Sequence, residues 1–126
     1  MTQEDKKLLL KDLCARLPYG VFCNMGLDYP LPLQRLFVDK LDGILLDFYE
    51  DGKDYQVYLS EVKPYLRSMS SMMEKERKHW RDISLSRPDW DFTARCLDWI
   101  NSRHFDYRGL IEKGLALEAP KDMYKI

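Results

Sequence analysis

Ile44-Leu45-Leu46-Asp47-Phe48-Tyr49-Glu50-Asp51-Gly52-Lys53-Asp54-Tyr55-Gln56-Val57-Tyr58-Leu59 is the stretch on which the fold depends. Ile44, Leu46 and Phe48 recur at every second position, as do Tyr55, Val57 and Leu59, which is the period of a strand with one dry face. Asp51-Gly52 between them suits a tight hairpin, because Gly has no Cβ and Asp tolerates positive backbone angles better than most residues. Upstream, Leu33 to Leu41 runs into Asp42-Gly43, the same turn chemistry. Three strands joined by short turns make an antiparallel meander, and the alternating segment Val21–Met25, before Pro30 and Pro32 interrupt, supplies a fourth.

Helices are predicted on either side. From Thr2 to Leu17, Leu9, Leu13 and Leu17 form one row with Leu10 and Cys14 beside it, while Lys7, Lys11 and Arg16 fall largely opposite. Thr2 caps this helix, Glu4 and Asp5 suit its dipole, and Pro18 with Gly20 ends it. After the sheet, Glu61 to Arg67 reads as an extended crossover, since Pro64 cannot donate to a central ladder. Ser71 and Glu74 have capping-box spacing ahead of a helix to about Ile83, with Met73, Trp80 and Ile83 on its buried side. Ser86-Arg87-Pro88-Asp89 starts a second, well-buried helix carrying Phe92, Cys96, Trp99 and Ile100 on one face. Asp106 caps a short turn through Ile111, Gly114 closes it, and Leu115-Ala116-Leu117 is extended. The expected fold is α+β: an N-terminal helix, a small antiparallel sheet over about residues 20–60, two helices covering one of its faces, and a packed C-terminal segment.

The 126 residues suit one domain with one core, and 45% hydrophobic with 33% charged residues is the composition of a globular chain. Twenty Lys+Arg against 21 Asp+Glu leave a net charge of -1, so no global field holds nucleic acid or an anionic membrane. The longest apolar runs, Leu8-Leu9-Leu10 and Ile44-Leu45-Leu46, fall far short of the ~20 residues of a membrane span. Thr2-Gln3-Glu4-Asp5-Lys6-Lys7 lacks the apolar core of a secretory signal, which makes the cytoplasm the expected compartment. Cys14, Cys23 and Cys96 each sit among apolar neighbours and read as reduced core thiols.

Three blocks carry a resemblance: Leu8-Leu9-Leu10-Lys11-Asp12-Leu13-Cys14-Ala15-Arg16-Leu17-Pro18-Tyr19-Gly20-Val21; Val62-Lys63-Pro64-Tyr65-Leu66-Arg67-Ser68-Met69-Ser70-Ser71-Met72; and Asn101 to Ile111 with Gly114-Leu115-Ala116-Leu117-Glu118-Ala119-Pro120. With them the chain resembles, over nearly its whole length, an uncharacterised family of short bacterial proteins found in prophage-like or mobile regions. Ser68 and Met73 depart from the family pattern, which often has proline and threonine there. The resemblance implies membership and a mobile-element origin, and it brings no activity, cofactor or catalytic residue with it.

No catalytic motif stands out. His79 and His104 sit in no metal-ligand pattern, so neither a metal nor a cofactor is expected. The densest titratable cluster is His104-Phe105-Asp106-Tyr107-Arg108. As a small hydrolase or transferase site, His104 would be oriented by Asp106 or Asp98 for proton transfer, and Arg108 would bind an anion. As plain structure, Asp106 caps the next turn, Arg108 pairs locally and Phe105 plugs the core, which accounts for the same spacing without a substrate. The stretch Glu74 to Arg81, with Arg87, Arg95 and Arg103 downstream and Trp80 or Trp90 for stacking, suggests single-stranded nucleic acid. Interleaved Glu74, Glu76, Asp82, Asp89 and Asp91 favour a solvated, self-paired face instead. The acids around the hairpins, Asp42, Asp47, Glu50, Asp51 and Asp54, lack the order of a calcium loop and fit turn chemistry.

Tyrosines number eight. Tyr49 and Tyr58 should point away from the dry face and leave an aromatic surface on the uncovered side of the sheet, either as a docking face or as cross-strand pairing that steadies the meander. The leading expectation is therefore a non-enzymatic interaction protein of mobile-element type that binds a protein partner or a second copy of itself through Tyr49, Tyr58 and their surroundings.

Overall fold

The computed structural model describes residues 1–39, 43–86 and 88–124. Asp42 of the first predicted turn, the Leu41 end of the strand before it, and Arg87 lie outside the described residues. In chain order the elements are α1 (Gln3–Arg16), β1 (Phe22–Asn24), β2 (Leu31–Asp39), β3 (Gly43–Glu50), β4 (Lys53–Tyr58), β5 (Lys63–Leu66), α2 (Glu74–Ser84), α3 (Phe92–Ser102) and β6 (Leu117–Glu118). Short 3-10 turns occupy Leu17–Tyr19, Leu59–Glu61 and Met69–Ser71. The architecture is α+β.

The meander forms as the alternation predicts. β2 and β3 pair antiparallel through Leu36↔Leu46 and Phe37↔Leu45, and β3 and β4 through Leu46↔Val57 and Phe48↔Tyr55. Asp51 and Gly52 hold φ of 49° and 81°, the two positive angles that a two-residue turn between right-twisted strands requires. Pro32 sits inside β2 without breaking the sheet: the neighbouring Leu33 N–H bonds the carbonyl of Val21, just before β1, so the proline nitrogen faces β3, whose ladder begins only at Leu33.

The sheet is larger than the meander and is not purely antiparallel. Its order is β4-β3-β2-β1-β5-β6, six strands, with β5 and β6 parallel. The segment around Pro64, expected to be a crossover, is the interior strand β5, antiparallel to β1 through Cys23↔Pro64. Pro64 is tolerated because β6 meets only Tyr65 and Leu66, leaving the proline with a strand on one side. The parallel pair follows from the connection: the chain passes through α2 and α3 between β5 and β6, long enough to return in the same direction.

Two cores result. Leu9 and Leu13 of α1 pack with Val21, Cys23, Leu33, Leu46, Phe48, Val62, Leu66 and Leu110 against the inner sheet face. The later helices do not share that role as expected. α2 and α3 enclose a separate cluster of Met72, Trp99, Ile100 and Phe105, with Trp80 and Ile83 at its margin. Only the C-terminal half of α3 is sealed; Phe92 and Cys96 are half-buried.

Several local expectations need correction. Thr2 and Asp5 do form a capping box on α1. On α2 the cap lies two residues later than Ser71 and Glu74: the Glu76 carboxylate accepts the Met73 N–H at 3.0 Å, while the Ser71 hydroxyl donates to the Ser68 carbonyl. Met73 is therefore exposed at the helix entry, away from the buried side. Of the cysteines only Cys23 is buried; Cys14 is exposed and Cys96 half-buried. Arg16, placed on the wet side of α1 by its charge, is fully buried.

Candidate functional site

Helical geometry explains Arg16. Leu9, Leu13 and Arg16 stand at i, i+4 and i+7, one stripe that the sheet covers, and Asp12 lies one turn before Arg16. Both are 0% exposed, and the Arg16 Nε donates to an Asp12 carboxylate oxygen at 2.8 Å. Arg16 Nη2 donates to the Phe105 carbonyl at 2.5 Å. Arg108 completes a cation–anion–cation row, its Nη1 3.4 Å from the second Asp12 oxygen and 2.8 Å from the Tyr107 hydroxyl. Arg16 Nη1 is buried without a hydrogen-bond partner among the described residues. This spacing was legible in the sequence as an acid and a base four apart on an apolar row, a signal that the charge of Arg16 masked.

The predicted trio His104, Asp106 and Arg108 is dispersed by this junction. Both Asp106 carboxylate oxygens are occupied, accepting the N–H groups of Leu110 and Ile111 at 2.9 Å each. His104 is 4% exposed, takes φ of 61°, and stacks on Tyr124 with ring centroids 3.9 Å apart. Burial, reinforced by the Arg16 charge, pushes its imidazole down to about 4, and Nδ1 has no partner among the described residues. Arg108 is directed to Asp12 and Tyr107. The Arg67 guanidinium stacks over Phe105 at 4.3 Å and forks onto Glu76 at 2.6 and 2.8 Å. Burial alone would raise the Glu76 carboxyl, but the Arg67 fork and the Met73 N–H outweigh it and hold it below the usual range. Arg67 N–H bonds the His104 carbonyl and its own carbonyl accepts from Asp106, both at 2.8 Å. The three sequence blocks thus meet at one structural junction.

A groove of about 890 Å³ beside that junction is lined by Arg67, Ser71, Met73, Glu118, Pro120 and Tyr124 among others, and none of the trio reaches it. Among the described residues no group of His, Cys, Asp and Glu could hold a metal ion. Among the described residues no helix is long and apolar enough to cross a membrane.

The outer face of β2, β3 and β4 is the other candidate. Opposite the core row, cross-strand register places Phe37, Leu45 and Tyr58 in one line, Arg35, Asp47 and Gln56 in the next, and Tyr49 with Asp54 beyond. Tyr49 is 53% and Tyr58 44% exposed, as the alternation requires. On the same face Leu45 and Asp47 are buried, a feature alternation does not disclose. Arg35, largely exposed, grips one Asp47 oxygen with Nε and Nη2 at 2.8 and 2.6 Å, while the other oxygen is buried and finds no partner among the described residues.

Three arginines of the stretch suggested for nucleic acid have partners of their own. Arg95 is held by Asp89 and Asp91, Arg103 lies over Trp99, and Arg108 joins the junction. Lys75, Lys78, His79 and Arg95 do line one shallow groove, and Trp90 is 96% exposed. No family model, curated protein or solved structure matches the chain.

Proposed function

We propose that this chain is a non-catalytic interaction protein, of the mobile-element type its sequence resembles, that docks a protein partner on the outer face of β2–β3–β4. The observation that carries the reading is the exposure of Tyr49 and Tyr58 on the sheet face opposite the core row, with Phe37 and Leu45 in line with Tyr58. Tyr58 with Phe37 and Leu45 on one side, Tyr49 with Asp54 on the other, and the Arg35, Asp47 and Gln56 row between them give aromatic rings with polar tips around hydrogen-bonding groups, the mixed chemistry that suits a protein partner. Against the hydrolase or transferase reading stand the burial of His104 under Tyr124, the backbone N–H groups on both Asp106 oxygens and the turn of Arg108 towards Asp12.

Affinity recovery from the native host, run in parallel with wild type and the double variant Tyr49→Ala, Tyr58→Ala, tests the proposal. A protein recovered by wild type and lost with the variant, while both chains give the same circular dichroism and unfolding midpoint, is the expected result. Equal recovery by the two chains would remove the face from consideration.

A further inference from the structure

Each end of the sheet is an edge, and the two edges differ. β6 offers only Leu117 and Glu118, whereas β4 presents Lys53–Tyr58 with no strand beyond it among the described residues. Natural sheets blunt such an edge with proline, bulges or lysine. β4 has its charges, Lys53 and Asp54, only beside the turn; Tyr55-Gln56-Val57-Tyr58 carries no charge and no proline, and its register with β3 is unbroken.

The hairpin determines which backbone groups face outward. Glu50 and Lys53 flank the two-residue turn and so form a hydrogen-bonded pair, which makes Phe48/Tyr55 and Leu46/Val57 hydrogen-bonded as well. The N–H and C=O groups of Asp54, Gln56 and Tyr58 therefore point away from β3. Among the described residues none of them makes a backbone hydrogen bond outside the sheet ladders.

We propose that the β4 edge is the contact for a second copy of this chain, paired antiparallel about a two-fold axis through Gln56. Only this register joins every outward group: Gln56 exchanges both bonds with its mate, and Asp54 of each copy exchanges both with Tyr58 of the other. The same alignment keeps inner and outer faces in phase, since strand neighbours in register share a face. On the inner face it sets Tyr55 against Val57, an aromatic and β-branched pair of the favoured kind. Lys53 and Asp54 meet neutral residues. A slip that brings Asp54 against its own mate opposes two carboxylates, so charge selects against that register. The two tyrosine-bearing outer faces then run on as one surface. This contact goes beyond the docking face and uses different atoms: the backbone of β4 and not the tyrosine rings.

Sedimentation velocity over a concentration series tests it. A strand-edge contact is smaller than a standard interface, so a reversible dimer that grows with concentration is expected. Gln56→Lys places two ammonium groups face to face on the axis and should return the chain to monomer with its circular dichroism unchanged, since Gln56 is exposed and spends no backbone bond on β3. In a Cys14→Ser, Cys96→Ser background, Gln56→Cys should cross-link under mild oxidation, because paired Cα atoms about 5.5 Å apart lie within disulfide reach. Asp54→Cys in that background should not. A wild-type monomer at every concentration, or a dimer that survives Gln56→Lys and gives no Gln56→Cys cross-link, would overturn the proposal while leaving the docking face to its own test.

Discussion

Replacing Asp12 by asparagine keeps the shape of the side chain and removes its charge. Arg16 would then stand fully buried with its Nε facing an amide, and Arg108 would remain as a second cation at 3.4 Å from the same group. Breaking one partner out of a buried pair costs about 3–5 kcal/mol, since the surviving ion has neither water nor a counter-charge. That is a large share of the roughly 5–15 kcal/mol that holds a domain of this kind folded. Converted at the enthalpy and entropy of a chain this long, it lowers Tm by roughly 10–20 °C. The companion variant Asp12→Leu, Arg16→Met removes both ions and refills the space with apolar atoms, so it should recover most of the loss. Urea unfolding followed by tryptophan fluorescence measures both. A loss below about 1 kcal/mol for Asp12→Asn, or a double variant no better than the single one, would show that the junction does not hold its charges as unscreened ions.

His104 gives a pH dependence of known sign. Its imidazole titrates at about 4 in the folded chain against about 6.5 when unfolded. The unfolded state therefore binds more protons between those values, and stability that is complete above about pH 6.5 falls as pH drops towards 4, by up to ~3 kcal/mol. His104→Asn, which tolerates the positive φ, should flatten that slope in a series of urea midpoints from pH 7 to 4; an unchanged slope would assign it to other groups. Asp106→Ala should cost about 2 kcal/mol by stranding the buried N–H of Leu110 and its neighbour at Ile111, with faster hydrogen exchange at those two amides; unaltered exchange would mean that the cap is idle.

Alternation and turn chemistry made the meander readable. Leu46 and Phe48 face the core, Tyr49 and Tyr58 face out, and Asp51-Gly52 turns the chain, because each depends on neighbours in sequence and on the period of the strand. Thr2 capping α1 and Asp106 capping the turn after α3 belong to the same class. What stayed hidden depends on partners distant along the chain. Pro64 looked like a breaker until β1 and the short β6 showed which of its sides needs a donor. Ser71 and Glu74 had the spacing of a cap, yet the backbone entered the helix two residues later, where Glu76 could also reach Arg67.

The site divides in the same way. Strand period alone put tyrosines on the wet side of the sheet, and chain order alone put His104, Asp106 and Arg108 near one another. Tertiary structure alone decided that Asp12 and Arg16 arrive from the first helix to engage Arg108 and the Phe105 carbonyl, and that His104 is sealed beneath Tyr124. The physical reason is range: strand period and turn angles act over a few residues, whereas the burial of a charge is fixed only when segments from opposite ends of the chain close over it.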